Sequence, residues 1–180
     1  MKRIAPLAVL LTACAGTADT SAQSDAAAAA PQEAPAIENP QAVGLAPSDV
    51  TFAAELAVDL ESMSLQESGL YIQVLEEGEG PAAAPGDGLG VDYTVWLSDG
   101  SKLDSSFDHQ PPAPLPMVLG RTQLIDGWTE GVTGMRLGEK RRLVVPYQLA
   151  YKAAGRAGVP PYSNLVFEVE LAEHTPAAAE

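Results

Sequence analysis

The sequence lacks the residues that many site chemistries require. It has a single cysteine, Cys14, so no disulfide can form within the chain. Its two histidines, His109 and His174, have no cysteine or paired carboxylates near them in the sequence. We expect both histidines to be exposed and no metal to be bound. No Ser-His-Asp arrangement, phosphate-binding loop or dinucleotide motif is present, and no cofactor is expected.

Positive charge is also scarce. The 180 residues carry 24 Asp and Glu against 10 Lys and Arg, a formal net charge of −14. No Lys or Arg occurs between Arg3 and Lys102, and the densest basic cluster is Lys140–Arg142. A strongly acidic chain repels phosphate backbones, so nucleic acid is not predicted as a partner. The balance is typical of the acidic surface of an exported protein.

Long apolar runs are absent, but a short one follows Lys2 and Arg3. The run Ile4–Leu11 has the layout of a secretory signal and falls well short of the roughly 20 residues that span a bilayer. It ends in Leu11-Thr12-Ala13-Cys14, which resembles the lipobox of bacterial lipoproteins. We therefore expect residues 1–13 to be a lipoprotein signal peptide and Cys14 to be lipidated. The alternative is an ordinary signal peptide, with Cys14 incidental.

That resemblance implies a protein anchored in the bacterial cell envelope through Cys14. Two or more acyl chains give stable anchoring, whereas one does not. Ala15 rather than Asp follows the cysteine, and this favours the periplasmic face of the outer membrane.

The ends of the chain are poor in large apolar side chains. Residues 14–48, rich in Ala and Pro, predict a disordered acidic tether, and residues 174–180 a disordered tail. Between the tether and the core, residues 49–68 predict a short helical extension, because Phe52, Leu56 and Leu60 recur at near-helical spacing. We expect this stripe to pack on the domain; binding to a partner is the alternative.

From Gly69 the apolar pattern changes to period two. Strands are predicted over 70–75, 91–97, 115–119, 142–145 and 165–171. A short helix is predicted near Leu124, with Ile125, Trp128 and Val132 on one side. The pattern predicts an α+β fold in which a twisted antiparallel β-sheet of five or six strands wraps around one short helix.

Several blocks in this region resemble the FKBP-type peptidyl-prolyl cis/trans isomerase family, in its order and at nearly its spacing. The blocks are Val91–Thr94, Asp99–Ser106, Leu124–Val132, Ala150–Tyr151 and Leu165–Leu171. The resemblance covers residues 69–173 and implies an isomerase domain of that fold there. It implies accelerated rotation of X-Pro bonds in exported proteins, by non-covalent binding in an apolar aromatic slot. The partners implied are proline-containing polypeptides and the family's macrolide ligands.

The resemblance also assigns roles within the slot. Trp128 would form its floor between two other aromatic rings, the Ile125 N–H and the Tyr151 hydroxyl would hold substrate carbonyls, and Asp104 would favour the twisted peptide. The implied catalytic residues are Tyr93, Asp104, Ile125, Trp128, Tyr151 and Phe167, and the implied substrate-binding residues are Leu103, Leu115, Leu124 and Val159.

The sequence departs from the family at the slot. Leu103 and Leu115 stand where Phe is usual, Lys152 where Gly is usual, and the 153–161 loop is about one residue shorter. These departures leave an alternative open: a catalytically weak module of this fold that binds peptides or acts as a chaperone in the envelope. A purely structural envelope lipoprotein is a further alternative.

Overall fold

A computed structural model describes residues 44–177 of the chain. Seven strands form one antiparallel sheet, and a single α-helix is found within the described range. The predicted α+β architecture is therefore confirmed. The strands are β1 (Ser64–Leu65), β2 (Tyr71–Glu76), β3 (Gly88–Leu97), β4 (Lys102–Ser105), β5 (Leu115–Val118), β6 (Lys140–Val145) and β7 (Leu165–Thr175), and the helix is α1 (Asp126–Val132).

The longest strands lie at the centre of the sheet. The strand order is β1-β2-β6-β7-β3-β4, and β5 pairs with the first half of β3. β3 pairs with β7 along its full length, from Gly88 opposite Thr175 to Leu97 opposite Leu165. Side chains alternate between the two faces of a strand, so this pairing brings residues of β3 and β7 side by side on the concave face.

Helix α1 packs very closely on that concave face. A Cβ atom on Gly127 would lie 2.4 Å from Val145 Cγ1, and one on Gly131 would lie 2.4 Å from Leu143 Cδ1. Both glycines weaken the helix intrinsically. They also allow its backbone to approach β6 so closely that a Cβ at either position would force a side chain of β6 to shift. The helix begins at Asp126, two residues after the predicted start, and ends at Val132.

The main core lies between α1 and the concave face. Trp128 and Val132 from the helix meet buried residues from β3, β6 and β7. The fully buried side chains here include Leu70, Val91, Leu119, Met135, Leu143, Val145, Leu165, Val169 and Leu171.

The predicted helix over 49–68 is wrong. The structure instead has three 3-10 turns, Pro47–Asp49, Ala54–Leu56 and Leu60–Ser62, followed by β1. The second turn ends at Ala57, which adopts a left-handed conformation with φ 47°. Its carbonyl accepts a hydrogen bond from Arg142 Nη1 at 2.8 Å, outside any helix. Asp59 then begins the third turn by accepting the Glu61 N–H.

The extension nevertheless packs on the domain as expected. Its apolar residues cover the face of the sheet opposite α1, where Leu56 and Met63 are buried against Val144 and Val166. Phe52 and Leu60 are partly buried at the same cluster. Phe52, Leu56 and Leu60, which have near-helical spacing, thus form part of a second, smaller core, and the segment that carries them consists of 3-10 turns rather than a helix.

The last residues of the predicted tether belong to the fold. The Gly44 N–H donates to the Tyr162 carbonyl at 2.9 Å, and Asn164 Nδ2 donates to the Leu45 carbonyl at 3.0 Å. Pro47 is buried. The prediction of disorder is therefore wrong for residues 44–48, because the loop before β7 supplies partners for their backbone.

The predicted tail is also wrong as far as the structure reaches. Strand β7 continues to Thr175, and the His174 side chain is only 3% exposed, so the prediction of an exposed His174 is wrong. Asp87 accepts hydrogen bonds from His174 Nε2 at 2.8 Å, from the Ala177 N–H at 2.7 Å and from the Ala84 N–H at 2.9 Å. The two backbone N–H groups and then His174 lower the pKa of Asp87 to about 2.

Some predictions lie outside the described residues: the signal peptide, lipidation at Cys14, the tether before Gly44 and the last three residues. Within residues 44–177, no helix has the length and apolar character needed to cross a membrane. In the same range, no three His, Cys, Asp or Glu side chains gather in a way that could hold a metal ion.

Candidate functional site

A cavity of about 850 Å³ opens on the concave face beside α1. It is called the slot below. All ten slot residues named from the sequence line it, from four strands, from α1 and the segment that precedes it, and from the loop after β6. They are Tyr93, Leu103, Asp104, Leu115, Leu124, Ile125, Trp128, Tyr151, Val159 and Phe167.

Trp128 lies between two other aromatic rings. Its side chain is 3% exposed, and its ring meets Tyr93 at 5.5 Å and 82° and Phe167 at 5.8 Å and 77°. Edge-to-face contacts at these distances are the favoured aromatic geometry. Because Tyr93 lies on β3 and Phe167 on β7, the pairing of these strands fixes both rings relative to the helix.

The polar edge of the slot is a hydrogen-bonded pair. The Tyr93 hydroxyl donates to Asp104 Oδ2 at 2.5 Å, and the Ser105 N–H donates to Asp104 Oδ1 at 2.8 Å. The Tyr93 hydrogen bond is the main cause that lowers the pKa of Asp104. Burial, followed by the Asp104 carboxylate, raises the pKa of Tyr93. At neutral pH the pair is therefore a phenol hydrogen-bonded to a carboxylate, which places a negative charge at the slot.

Two slot-lining residues each carry a polar group that has no hydrogen-bond partner among residues 44–177. Ile125 precedes the first turn of α1, and its carbonyl accepts the Trp128 N–H at 3.0 Å. Among residues 44–177, nothing accepts the Ile125 N–H or the Tyr151 hydroxyl. Both groups are therefore available to donate hydrogen bonds to a ligand in the slot.

The loop after β6 closes one side of the slot. Arg156 and Val159 exchange backbone hydrogen bonds of 2.9 and 2.7 Å, which folds the loop back on itself. The turn buries Val159 against the slot, where it is 9% exposed. Leu103 and Leu115 line another part of the wall and are partly buried. With leucine rather than phenylalanine at these two positions, the slot has two aromatic rings fewer.

Sequence reasoning missed several contributors. Arg156 lies with its guanidinium carbon 5.6 Å from the Tyr151 ring centre, and Lys152 also lines the slot. His109 is half-exposed as expected, but its Nε2 lies 3.3 Å from Asp104 Oδ1 and its ring meets Tyr93 edge-on. These residues lie in loops, where no periodicity marks them. The other missed lining residues are Val95, Gln123, Asp126, Ala150, Ala157 and Leu165.

Comparisons with known proteins agree with this geometry. The family model for FKBP-type peptidyl-prolyl cis-trans isomerase matches residues 80–172. An FK506-binding protein of Neisseria meningitidis serogroup B is 48% identical over 104 residues, which cover 57% of this chain and 94% of that protein. The FKBP-type 22 kDa peptidyl-prolyl cis-trans isomerase of Escherichia coli is 43% identical over 114 residues, 63% of this chain and 53% of the relative.

Solved structures give the same fold. FkpA from Escherichia coli aligns with a TM-score of 0.60 and 38% identity, over 69% of this chain and 56% of FkpA. A peptidyl-prolyl cis-trans isomerase from Pseudomonas syringae aligns with a TM-score of 0.57 and 30% identity, over 68% of this chain and 87% of that protein. On the family match and the near-complete coverage of the Neisseria relative, the chain belongs to the family of FKBP-type peptidyl-prolyl cis-trans isomerases.

Proposed function

We propose that the slot accelerates X-Pro rotation by holding the proline ring on Trp128, with the preceding amide out of water. The barrier to this rotation is roughly 18–20 kcal/mol because the amide C–N bond has partial double-bond character. Water favours the planar, charge-separated amide, so an apolar site lowers the barrier without a nucleophile. The observation that carries the proposal is the cavity that joins three aromatic rings to the Tyr93–Asp104 pair.

The free donors of the slot supply the orientation. We assign the Ile125 N–H and the Tyr151 hydroxyl to two carbonyls of the substrate, one on each side of the rotating bond. The negative charge of Asp104 then favours the twisted amide, in which the nitrogen regains its lone pair and the carbonyl carbon is less shielded. Fixed donors and charges of this kind act most strongly where water is excluded.

The relatives favour catalysis over the binding-module alternative. The Escherichia coli proteins that match this chain are named as isomerases, and the aromatic floor of the slot is present here. Leu103 and Leu115 are then expected to limit the catalytic efficiency, kcat/KM. We expect Leu103→Phe to raise kcat/KM, because a further aromatic ring would narrow the apolar wall.

The test is a protease-free NMR exchange assay on a short X-Pro peptide. Tyr151→Phe keeps the ring and removes the hydroxyl, so kcat/KM should fall by about fivefold, the equivalent of one hydrogen bond, with the melting temperature nearly unchanged. Trp128→Ala is a poorer probe, because it removes buried surface and so lowers stability together with activity. If the wild-type protein binds the peptide but does not raise the exchange rate above the spontaneous one, the isomerase proposal is wrong and the binding-module alternative takes its place.

The slot is also proposed to bind macrolides. The Neisseria relatives are named for FK506 binding, and a cavity of about 850 Å³ lined mainly by aliphatic and aromatic residues is of the size that drug-sized ligands occupy. FK506 should inhibit peptide exchange competitively. Inhibition that leaves the peptide KM unchanged would place the macrolide elsewhere.

The clients are proposed to be exported proteins, met at the periplasmic face of the outer membrane. The support is the sequence Leu11-Thr12-Ala13-Cys14, with the segment before Gly44 as a spacer between the lipid and the domain. Mass spectrometry of the membrane fraction should find acyl groups on an N-terminal Cys14. Cys14→Ser should release the protein from that fraction, and a soluble wild-type protein that begins at another residue would contradict the anchor.

A further inference from the structure

Two cationic side chains lie at the mouth of the slot, although the protein as a whole is strongly negative. Lys152 and Arg156 both line the slot from the loop after β6, and both are exposed. The chain as a whole has a formal net charge of −14, which repels negatively charged peptides at long range. A local pair of cations at the binding site therefore opposes the charge of the rest of the surface.

Arg156 lacks the partner that most other cations of the domain have. Lys102, Lys140, Arg141 and Arg142 each lie within 4.0 Å of a carboxylate. Within residues 44–177, no carboxylate lies that close to Arg156, whose guanidinium rests over the Tyr151 ring at 5.6 Å. A guanidinium in a cation–π contact at this distance still has N–H groups free, and these are suited to a carboxylate in two-point contact.

Lys152 is held in an unusual backbone conformation. Its φ is 54°, in the left-handed region that glycine adopts more readily than any residue with a side chain. Its Nζ lies 3.5 Å from Asp126 Oδ2 across the mouth, but both side chains are about two-thirds exposed, at 64% and 68%. An exposed pair of this kind is weak, so a substrate carboxylate can compete for the ammonium group.

We propose that Lys152 and Arg156 form a cationic rim that selects proline-containing clients with an Asp or Glu within two residues of the proline. The inference rests on the proposed function, because it requires the peptide to bind in the slot with its flanking residues at the mouth. Asp104 keeps its negative charge, but it lies on β4 at the polar edge of the slot, bonded to the Tyr93 hydroxyl and the Ser105 N–H, whereas the rim lies on the loop after β6.

The experiment compares capped peptides that differ only in one residue near the proline. Glu, Gln or Lys is placed at each of the two positions before and the two positions after proline, and exchange is measured by NMR without a coupling protease. At one or more positions, kcat/KM should be about two- to fivefold higher for Glu than for Gln, and lowest for Lys, which is the range expected for one exposed ion pair. The preference should shrink in 0.5 M NaCl, a salt concentration chosen because the Debye length there is only about 4 Å.

Variants assign the preference to the rim. The Glu-to-Gln ratio should fall to about one in the Arg156→Gln, Lys152→Gly double variant, invert in Arg156→Glu and persist in Arg156→Lys, as expected for an exposed ion pair. Lys140→Gln removes one positive charge on β6, outside the slot, and should leave the ratio unchanged. If the double variant does not fold, the ratio in Arg156→Glu decides: an inverted ratio supports the rim, and an unchanged ratio overturns it.

Equal rates for Glu and Gln peptides at all four positions would overturn the rim, and so would a preference that survives the double variant. Absence of exchange catalysis on every peptide would instead overturn the proposed function of the slot. The two failures are therefore distinguishable.

Discussion

Two aspartates, Asp87 and Asp104, accept similar hydrogen bonds in different surroundings. Each takes a bond from an aromatic side chain and at least one from the backbone, and the pKa of each lies below its usual range. The Asp87 side chain is 7% exposed and the Asp104 side chain 49%. The hydrogen-bond donors to a carboxylate therefore do not by themselves show whether its role is structural or functional.

The difference lies in what else can reach the oxygens. Around Asp87, fixed groups from the Ala84 loop, from His174 and from Ala177 occupy the carboxylate, and no slot-lining residue is among them. Asp104 has a protein partner on each oxygen but stays open toward the slot. The first carboxylate joins the end of the chain to the domain, whereas the second presents a charge to whatever enters the cavity.

The largest effect is expected from breaking the enclosed site. Asp87→Asn replaces one acceptor oxygen with an NH₂ group that faces N–H donors, so a buried donor loses its partner. We expect the melting temperature, followed by circular dichroism, to fall by several degrees, the largest fall among the variants below. Peptide exchange at a temperature where the variant is folded should be close to wild type. An unchanged melting temperature would show that the enclosure of Asp87 adds nothing to stability.

Acid should distinguish the two sites next. Because the pKa of Asp87 is lowered to about 2 in the folded protein, against about 3.9 in an unfolded chain, its contribution to stability is present above about pH 4 and is lost as pH falls toward 2. Urea midpoints measured across this window should fall more steeply for wild type than for Asp87→Asn. Asp104→Asn should retain most of the wild-type slope, since its exposed carboxylate is well screened.

Asp104→Asn should show the opposite pattern to Asp87→Asn. It keeps the shape of the slot but removes the charge and weakens the bond from Tyr93, which loses an ionised acceptor. We expect kcat/KM to fall about three- to tenfold with little change in melting temperature. A fall in stability with activity intact would make Asp104 a second structural carboxylate.

The smallest effect is expected at His109. Its Nε2 lies 3.3 Å from Asp104 Oδ1, and both side chains are 49% exposed, so the contact is weak. His109→Gln should change kcat/KM by less than about twofold in the NMR exchange assay. A change as large as that of Asp104→Asn would mean that His109 positions the carboxylate.

The sequence predicted the slot better than its surroundings. The period-two pattern predicted the strands that carry Tyr93 and Phe167, and the family resemblance named the ten residues that the structure brings to one cavity. Lys152 and Arg156 were not predicted to line the slot, because they lie in an irregular loop. There the direction of a side chain depends on backbone angles such as the φ of 54° at Lys152.

The two ends of the domain could not be predicted from local patterns. Phe52, Leu56 and Leu60 are spaced as in a helix, yet 3-10 turns bury or partly bury the same three side chains against the sheet. His174 is buried because of Asp87, a partner 87 positions away in the chain. A pairing at that distance leaves no periodic signal, so an isolated histidine near the end was expected to be exposed.

The glycines of α1 tie the floor of the slot to particular residues of the sheet. Since a Cβ at 127 would overlap Val145 and a Cβ at 131 would overlap Leu143, the height of Trp128 is set by two contacts that contain no helix side chain. In a library of variants, alanine at position 127 should therefore be found mainly together with a smaller residue at 145, and alanine at 131 mainly together with a smaller residue at 143. The depth of the binding site is encoded in these two residue pairs, and a deeper or shallower floor must be reached by changing both members of a pair together.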